Sequence, residues 1–171
     1  MVRELNNVQP YDWAAFLRQR LDAHDGTPLL EGLAKGGWRL AWTDKPSEFF
    51  KAIETRRKNS SFAYSLGFDV SNDPSREFHR ITDVLWGSPA FDAGLAPSST
   101  LVAVNGRSYK PEWLRDAITE ANASGLPIYL LVKTGDLYRT VRVTCRGGLR
   151  YPTLERIPGT PDRLSELLAP R

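Results

Sequence analysis

At Ser61 the hydrophobic period of the chain changes. Upstream, apolar residues recur at helical spacing; downstream they alternate, so the sequence predicts helices first and a sheet-based module after them. The first alternating segment, Phe62-Ala63-Tyr64, runs into Ser65-Leu66-Gly67-Phe68-Asp69-Val70. There a glycine separates two large apolar residues at the mouth of a strand. A residue without Cβ lets successive backbone N–H groups point into one small concavity, which suits a carboxylate. The strand that follows can offer its edge to a peptide. A glycine entering a strand also serves as a plain turn or bulge, and this stretch alone does not separate the two readings.

Upstream, Pro10 opens a helical pattern in which Asp12 stands where its carboxylate can accept orphan N–H groups. Trp13, Phe16, Leu17 and Leu21 follow at helical spacing, and Gly26 and Pro28 end the pattern. Leu29, Leu30 and Leu33 predict a short helix stopped by Gly36-Gly37. Trp38 to Thr43 alternates like a strand, and Pro46-Ser47-Glu48 starts a second helix with Phe49, Phe50 and Ile53 on one side and Arg56-Arg57-Lys58 at its end. Downstream, Phe78 to Leu85 reads as a strand. Ser88 caps a short helix from Pro89 to Ala93, closed by Gly94. Leu101 to Val104 is a short buried strand meeting the hairpin-type turn Asn105-Gly106. Pro111 to Ala123 is the clearest helix, with Leu114, Ala117, Ile118 and Ala121 along one face. Ile128 to Lys133 and Arg139 to Cys145 form a hairpin across Thr134-Gly135-Asp136, and a last helix runs near Asp162 to Leu168. The expected division is 1–60 as a helical lead-in, 61–147 as the β-rich module and 148–171 as a tail.

Composition narrows the function classes. With 41% apolar and 25% charged residues in 171, the chain can bury a real core. A formal charge of +3, with basic residues interleaved among acids, does not read as a nucleic-acid footprint. The longest apolar run, around Leu126 to Val132, is too short to span a bilayer, so neither nucleic acid nor membrane is expected as a partner. No secretory signal is legible at Met1 to Leu5. Cys145 is the one cysteine, so no internal disulfide can form.

The words Leu66-Gly67-Phe68, Ser88-Pro89-Ala90-Phe91-Asp92-Ala93-Gly94-Leu95 and Leu101-Val102-Ala103-Val104-Asn105-Gly106, in this order and spacing, resemble a PDZ domain of the kind found in bacterial proteases. One departure is visible: Pro97-Ser98-Ser99-Thr100 stands where that pattern usually has a glycine and an aspartate. Asp12-Trp13, Gly37-Trp38, the stretch Gly148 to Arg156 and Pro161-Asp162 further resemble the C-terminal third of glycyl-aminopeptidase-type, thermolysin-like zinc metallopeptidases. The resemblance implies an α+β fold with a mainly β core: a PDZ-like, partly open barrel of five to six strands with two helices, preceded by a helical lead-in.

It also implies a site. The N–H groups of Leu66, Gly67 and Phe68, with Ser65 beside them, would form the carboxylate nest, and Phe68-Asp69-Val70 would pair with an added peptide strand. Leu114 would read the ligand's third-from-last side chain with an apolar preference, while Ile118 and Ala121 line the terminal pocket. The competing reading of Leu114, Ile118 and Ala121 is plain core packing of an amphipathic helix. Trp38 and Trp42 read as packing residues that staple the lead-in onto the module.

A zinc peptidase of that family needs two histidines one helical turn apart with a glutamate between them. This chain has two histidines, His24 and His79, far apart, and Glu77 near His79 supplies no second ligand. No catalytic residue, metal ligand or cofactor is therefore expected in this chain, zinc being expected in a catalytic domain outside it. The expected function is that of a non-catalytic module recognising peptide or protein C-termini, or positioning substrate, for a metallo-aminopeptidase of which this chain is the C-terminal part. The catalytic domain of that parent is the second expected partner. The alternatives are an interdomain packing module with an unused groove and a standalone adaptor. The compartment stays open between bacterial cytoplasm and periplasm.

Overall fold

The computed structural model describes residues 1–22, 27–75 and 79–170. His24, Glu77 and the expected start of a strand at Phe78 lie outside the described residues. Helices and strands are mixed in an α+β arrangement, and the chain divides into two compact units: Met1–Ala41 with Leu154–Arg171, and Trp42–Thr153.

The smaller unit holds α1 (Val2–Val8), α2 (Trp13–Asp22) and α3 (Thr27–Lys35), followed by the start of β1 (Trp38–Thr43). Asp12 Oδ1 accepts from the Ala15 N–H at the head of α2, the cap expected from its place beside Pro10. The rings of Tyr11, Trp13 and Phe16 meet edge to face. Strand β1 pairs with a late strand from the C-terminal end in a two-stranded sheet. Trp38 donates its indole N–H to Asp162 Oδ1 at 2.8 Å, and Arg156 donates to the carbonyls of Gly37 and Thr160. The Trp38 hydrogen bond, then the Ser165 N–H, holds the Asp162 carboxyl below the ordinary carboxylate range.

In the larger unit come α4 (Glu48–Arg57), β2 (Asn59–Ser61), β3 (Phe68–Ser71), β4 (Ile81–Val84) and α5 (Pro89–Asp92). They are followed by β5 (Thr100–Val104), β6 (Arg107–Ser108), α6 (Pro111–Ser124), β7 (Ile128–Thr134), β8 (Leu137–Val143) and the first part of β9 (Tyr151–Arg156). The last helix is α7 (Arg163–Leu168), in the smaller unit and capped by the Asp162 side chain. Two sheets form the larger unit: β2-β3-β4, and β6-β5-β7-β8. They are joined where the Ile81 N–H donates to Ser99 O and the Leu101 N–H to His79 O.

Local chemistry sets these elements. Ser47 and Ser88 cap α4 and α5 through their hydroxyls, and Asn105-Gly106 turns with both residues at positive φ, as a two-residue hairpin connection requires. Ser98, in the segment that departs from the usual pattern, takes φ 74° without being a glycine. Along α6 the residues Leu114, Ala117, Ile118 and Ala121 form one buried stripe. Against it lie Ile128, Leu130 and Val132, the inward set of β7, with Val141 and Val143 of β8 and Leu101 and Val104 of β5. Cys145 is buried at the edge of this core.

Candidate functional site: the groove beside the glycine loop

The glycine loop is a tight connection between β2 and β3. Gly67 takes φ 90°, and a Cβ placed there would overlap the Cβ and Oγ of Ser88. The N–H groups that converge are those of Ser65, Leu66 and Gly67, one residue earlier than the expected Leu66, Gly67 and Phe68, and at 3.1, 2.8 and 2.9 Å all three donate to the carbonyl of Phe62. The loop's own carbonyls are used as well: Leu66 O accepts from Ala90 N–H and Gly67 O from Leu85 N–H. Ser65 Oγ accepts from the Arg150 N–H.

Strand β3 has a partner on each edge. On one side β4 pairs with it antiparallel; on the other β2 does, with Asn59 opposite Ser71, Ser60 opposite Val70 and Ser61 opposite Asp69. The flanking bonds, Phe62 N–H to Phe68 O at 2.9 Å and Asn72 N–H to Lys58 O at 2.7 Å, continue the same ladder. An alternating antiparallel ladder then leaves Ser60 facing Val70 in a hydrogen-bonded pair and Ser61 facing Asp69 in a non-bonded one. Both edges of β3 are thus paired within the chain itself.

Phe62 is buried, 1% exposed, its ring 5.7 Å from that of Phe68 and beneath the guanidinium of Arg115. Arg115, on the first half of α6, also reaches Glu54 of α4: Nη2 lies 3.3 and 3.5 Å from the two carboxylate oxygens. Glu54 Oε1 accepts from the Ser61 N–H at 2.6 Å, the amide that the ladder leaves free. One carboxylate therefore ties α4, β2 and α6 together. Ser60 is buried, and its hydroxyl accepts from Asn72 Nδ2 at 2.8 Å.

The other expected site residues are placed as follows. Leu66, Phe68 and Val70 are buried in the core, as are Leu114, Ile118 and Ala121. Ala121, with Ala117, also lines a cavity of about 510 Å³ shared with Asn105, Leu126 and Tyr129. Asp69 is half-buried opposite Ser61 and Asp83, and its Oδ1 makes no hydrogen bond. Burial, and then the Asp83 charge, push its carboxyl above the ordinary range, against the pull of the Ser61 hydroxyl and Arg57. Trp42 stacks against Tyr64 and under Arg150, while Trp38 serves the hydrogen bond to Asp162. Phe62, Glu54, Ser60 and Arg115 escape a sequence reading of the site. The signal available was Phe62 at the exact change of period, one residue past the helix-to-sheet boundary.

Among the described residues no group of three or more His, Cys, Asp or Glu side chains could hold a metal ion, and no helix is long and apolar enough to cross a membrane.

No protein-family model matches the sequence, and no curated protein matches it either. Solved structures do. An aminopeptidase N family protein from Idiomarina loihiensis is similar over 98% of this chain at 18% identity, with a TM-score of 0.58. The chain spans 28% of that protein's length. The PDZ domain of HtrA3, solved with the phage-derived ligand FGRWV, is similar over 44% of this chain and 64% of that one, at 21% identity and a TM-score of 0.31. The first of these likenesses establishes a shared fold with a part of the longer aminopeptidase-family chain.

Proposed function

We propose that the chain is a non-catalytic accessory module of a larger, peptidase-like protein, with a PDZ-type groove that is filled by its own β2 in the ground state. It works by packing on the rest of that protein, the catalytic domain first, and not by capturing free peptide C-termini. The observation that carries this reading is the Phe62 carbonyl in the glycine-loop nest, with β2 completing the ladder on β3. A tethered strand has an effective concentration of order millimolar, whereas a free peptide held by three neutral N–H groups and a shallow pocket has a Kd of order micromolar. The tethered strand raises the apparent Kd of that peptide about a thousandfold.

The shared fold with part of an aminopeptidase-family chain supports the accessory role, as do the two widely spaced histidines. Zinc belongs, in this reading, to a domain outside the chain. Trp86, 87% exposed with its ring 4.4 Å from that of Phe91, offers an apolar surface for such packing. The test is a titration of the isotope-labelled chain with a library of free C-terminal peptides. The expected result is amide shifts at Leu66, Gly67 and Phe68 that stay far from saturation below about 1 mM; saturable shifts at micromolar peptide overturn it. In the longer protein, replacing Trp86 and Phe91 by Ser lowers thermal stability and leaves substrate preference unchanged.

A further inference from the structure

We propose that the free edge of β8 is a docking site for an acidic, extended segment of a partner protein, which joins the second sheet as an added strand. The site lies in the sheet that does not carry the glycine loop, and it is independent of the groove described above.

Strand β8 ends the order β6-β5-β7-β8 and is paired on one side, by β7. The turn sets the phase of its hydrogen bonds. Thr134 and Leu137 flank a two-residue connection with Gly135 at φ 59°, so this pair exchanges both main-chain bonds, and bonded pairs recur at Arg139, Val141 and Val143. Tyr138, Thr140 and Arg142 therefore turn their N–H and C=O groups away from β7. Tyr129, opposite Arg142, fixes the same phase from the far side: its N–H donates to Asn105 Oδ1 and its carbonyl accepts from the Asn105 N–H. No described residue bonds to the outward main chain of Tyr138, Thr140 or Arg142, and all three residues are exposed. Their alternating donors and acceptors are the template on which a further strand pairs.

Charge selects the occupant. Strands β7 and β8 contain no Asp or Glu. On the face away from the core, Tyr129 stands beside Arg142, Leu131 beside Thr140, and Lys133 beside Tyr138, with the Lys133 ammonium 5.7 Å from the Tyr138 ring. Among the described residues neither Lys133 nor Arg142 meets a carboxylate. A second copy of the chain, paired about Thr140, would set its own Arg142 against the Tyr138 ring that Lys133 already covers, and two cations would meet with no anion between them. A nucleic-acid backbone would meet the cations, but its phosphates donate nothing to the outward carbonyls. A peptide strand with Glu opposite Arg142 and opposite Tyr138 satisfies the main-chain edge and puts a carboxylate beside each cation, with a β-branched residue opposite Thr140.

The experiment titrates the whole isotope-labelled chain with the end-blocked peptide acetyl-Glu-Glu-Val-Thr-Val-Glu-Glu-amide, which has no free C-terminal carboxylate to bring to the glycine loop. Amide shifts at Tyr138, Thr140 and Arg142 are expected to saturate with a Kd of about 1 mM or below, and exchange of these three amides to slow about 10-fold. The same peptide with Lys in place of every Glu is expected to bind at least about 10-fold more weakly, and Arg142→Glu to reduce that preference at least about 10-fold. Thr140→Pro removes an outward N–H and no bond to β7, and is expected to weaken binding about 10-fold. If Thr140→Pro fails to fold, the exposed Arg142→Glu variant decides the outcome. Saturation by neither peptide, or shifts at Leu66 to Phe68 in place of those at β8, overturns the edge site. Equal binding of the acidic and basic peptides by the wild type overturns charge selection. Dimerisation of the peptide-free chain in sedimentation equilibrium, with the same three amides protected, replaces the acidic partner by a second copy and overturns the proposal. Tighter binding of a single-stranded oligothymidylate at these amides overturns it in favour of nucleic acid.

Discussion

Replacing Glu54 by Gln should cost more than its position on an exposed-looking helix suggests. The Glu54 side chain is 13% exposed and that of Arg115 25%, so the pair is largely removed from water. The carboxylate accepts from the Ser61 N–H at 2.6 Å and from Arg115 Nη2. Hydrogen bonds to a charged group each contribute about 1.5–3 kcal/mol net. Gln offers Ser61 only a neutral oxygen, a weaker acceptor than the carboxylate, and leaves the guanidinium without a counter-charge, and Arg115 Nε already lacks a partner. We therefore expect a loss of about 2 kcal/mol, which for a chain of 171 residues lowers Tm by about 4–8 °C. Urea unfolding followed by tryptophan fluorescence measures it, and the double-mutant cycle with Arg115→Met isolates the pair, with an expected coupling of about 1–2 kcal/mol. A coupling below about 0.3 kcal/mol refutes the claim that this carboxylate links α4 to α6. Faster hydrogen exchange at the Ser61 amide in Glu54→Gln separately checks the link to β2.

Gly67→Ala should destabilise by about 3–4 kcal/mol, since its new Cβ meets Ser88 at positive φ, whereas Gly106→Ala, at φ 79° with nothing within 4 Å, should cost about 1 kcal/mol; equal losses in denaturant midpoints would show that close approach to Ser88 is not the constraint. Ser98→Gly relieves a left-handed residue and should gain up to about 1 kcal/mol in the same assay, a loss counting against strain at that turn. Asp69 has its folded pKa raised by burial and by Asp83, so its contribution to stability is greatest below the unfolded value of 3.8 and is lost as pH rises through the folded pKa. Asp69→Asn should accordingly match wild type near pH 3 and exceed it near pH 7; urea midpoints at both pH values measure this, and a variant weaker than wild type at pH 7 contradicts it.

What could be read from the sequence is what local chemistry decides. Ser88 before Pro89, Asn105-Gly106 after a short apolar strand, and the Leu114, Ala117, Ile118, Ala121 stripe each state their structure within a few residues, and each is found where expected. Helix α1 lies in polar sequence with no buried residue, so no periodicity announces it. Strand β9 begins Tyr151-Pro152, and a proline beside the strand start masks the pattern. The contents of the groove were least legible. The convergence of N–H groups at Gly67 follows from glycine's freedom, but which oxygen they meet depends on β2 pairing with β3. Glu54, which holds the outer side of β2 through the Ser61 N–H, stands 61 residues before its partner Arg115. Ser60 and Ser61 look like loop residues until the edge they cover is in view.

The claim that the chain fills its own groove is tested most directly by a nuclear Overhauser measurement on the wild-type chain without added peptide. Ser61 and Asp69 form a non-hydrogen-bonded antiparallel pair, whose Cα atoms approach to about 4.5 Å and bring the two Hα atoms into contact. The account predicts a strong Hα–Hα cross-peak between Ser61 and Asp69, with slow exchange at the Phe62 and Gly67 amides. An absent cross-peak together with solvent-rate exchange at those amides would mean an open groove and would contradict it.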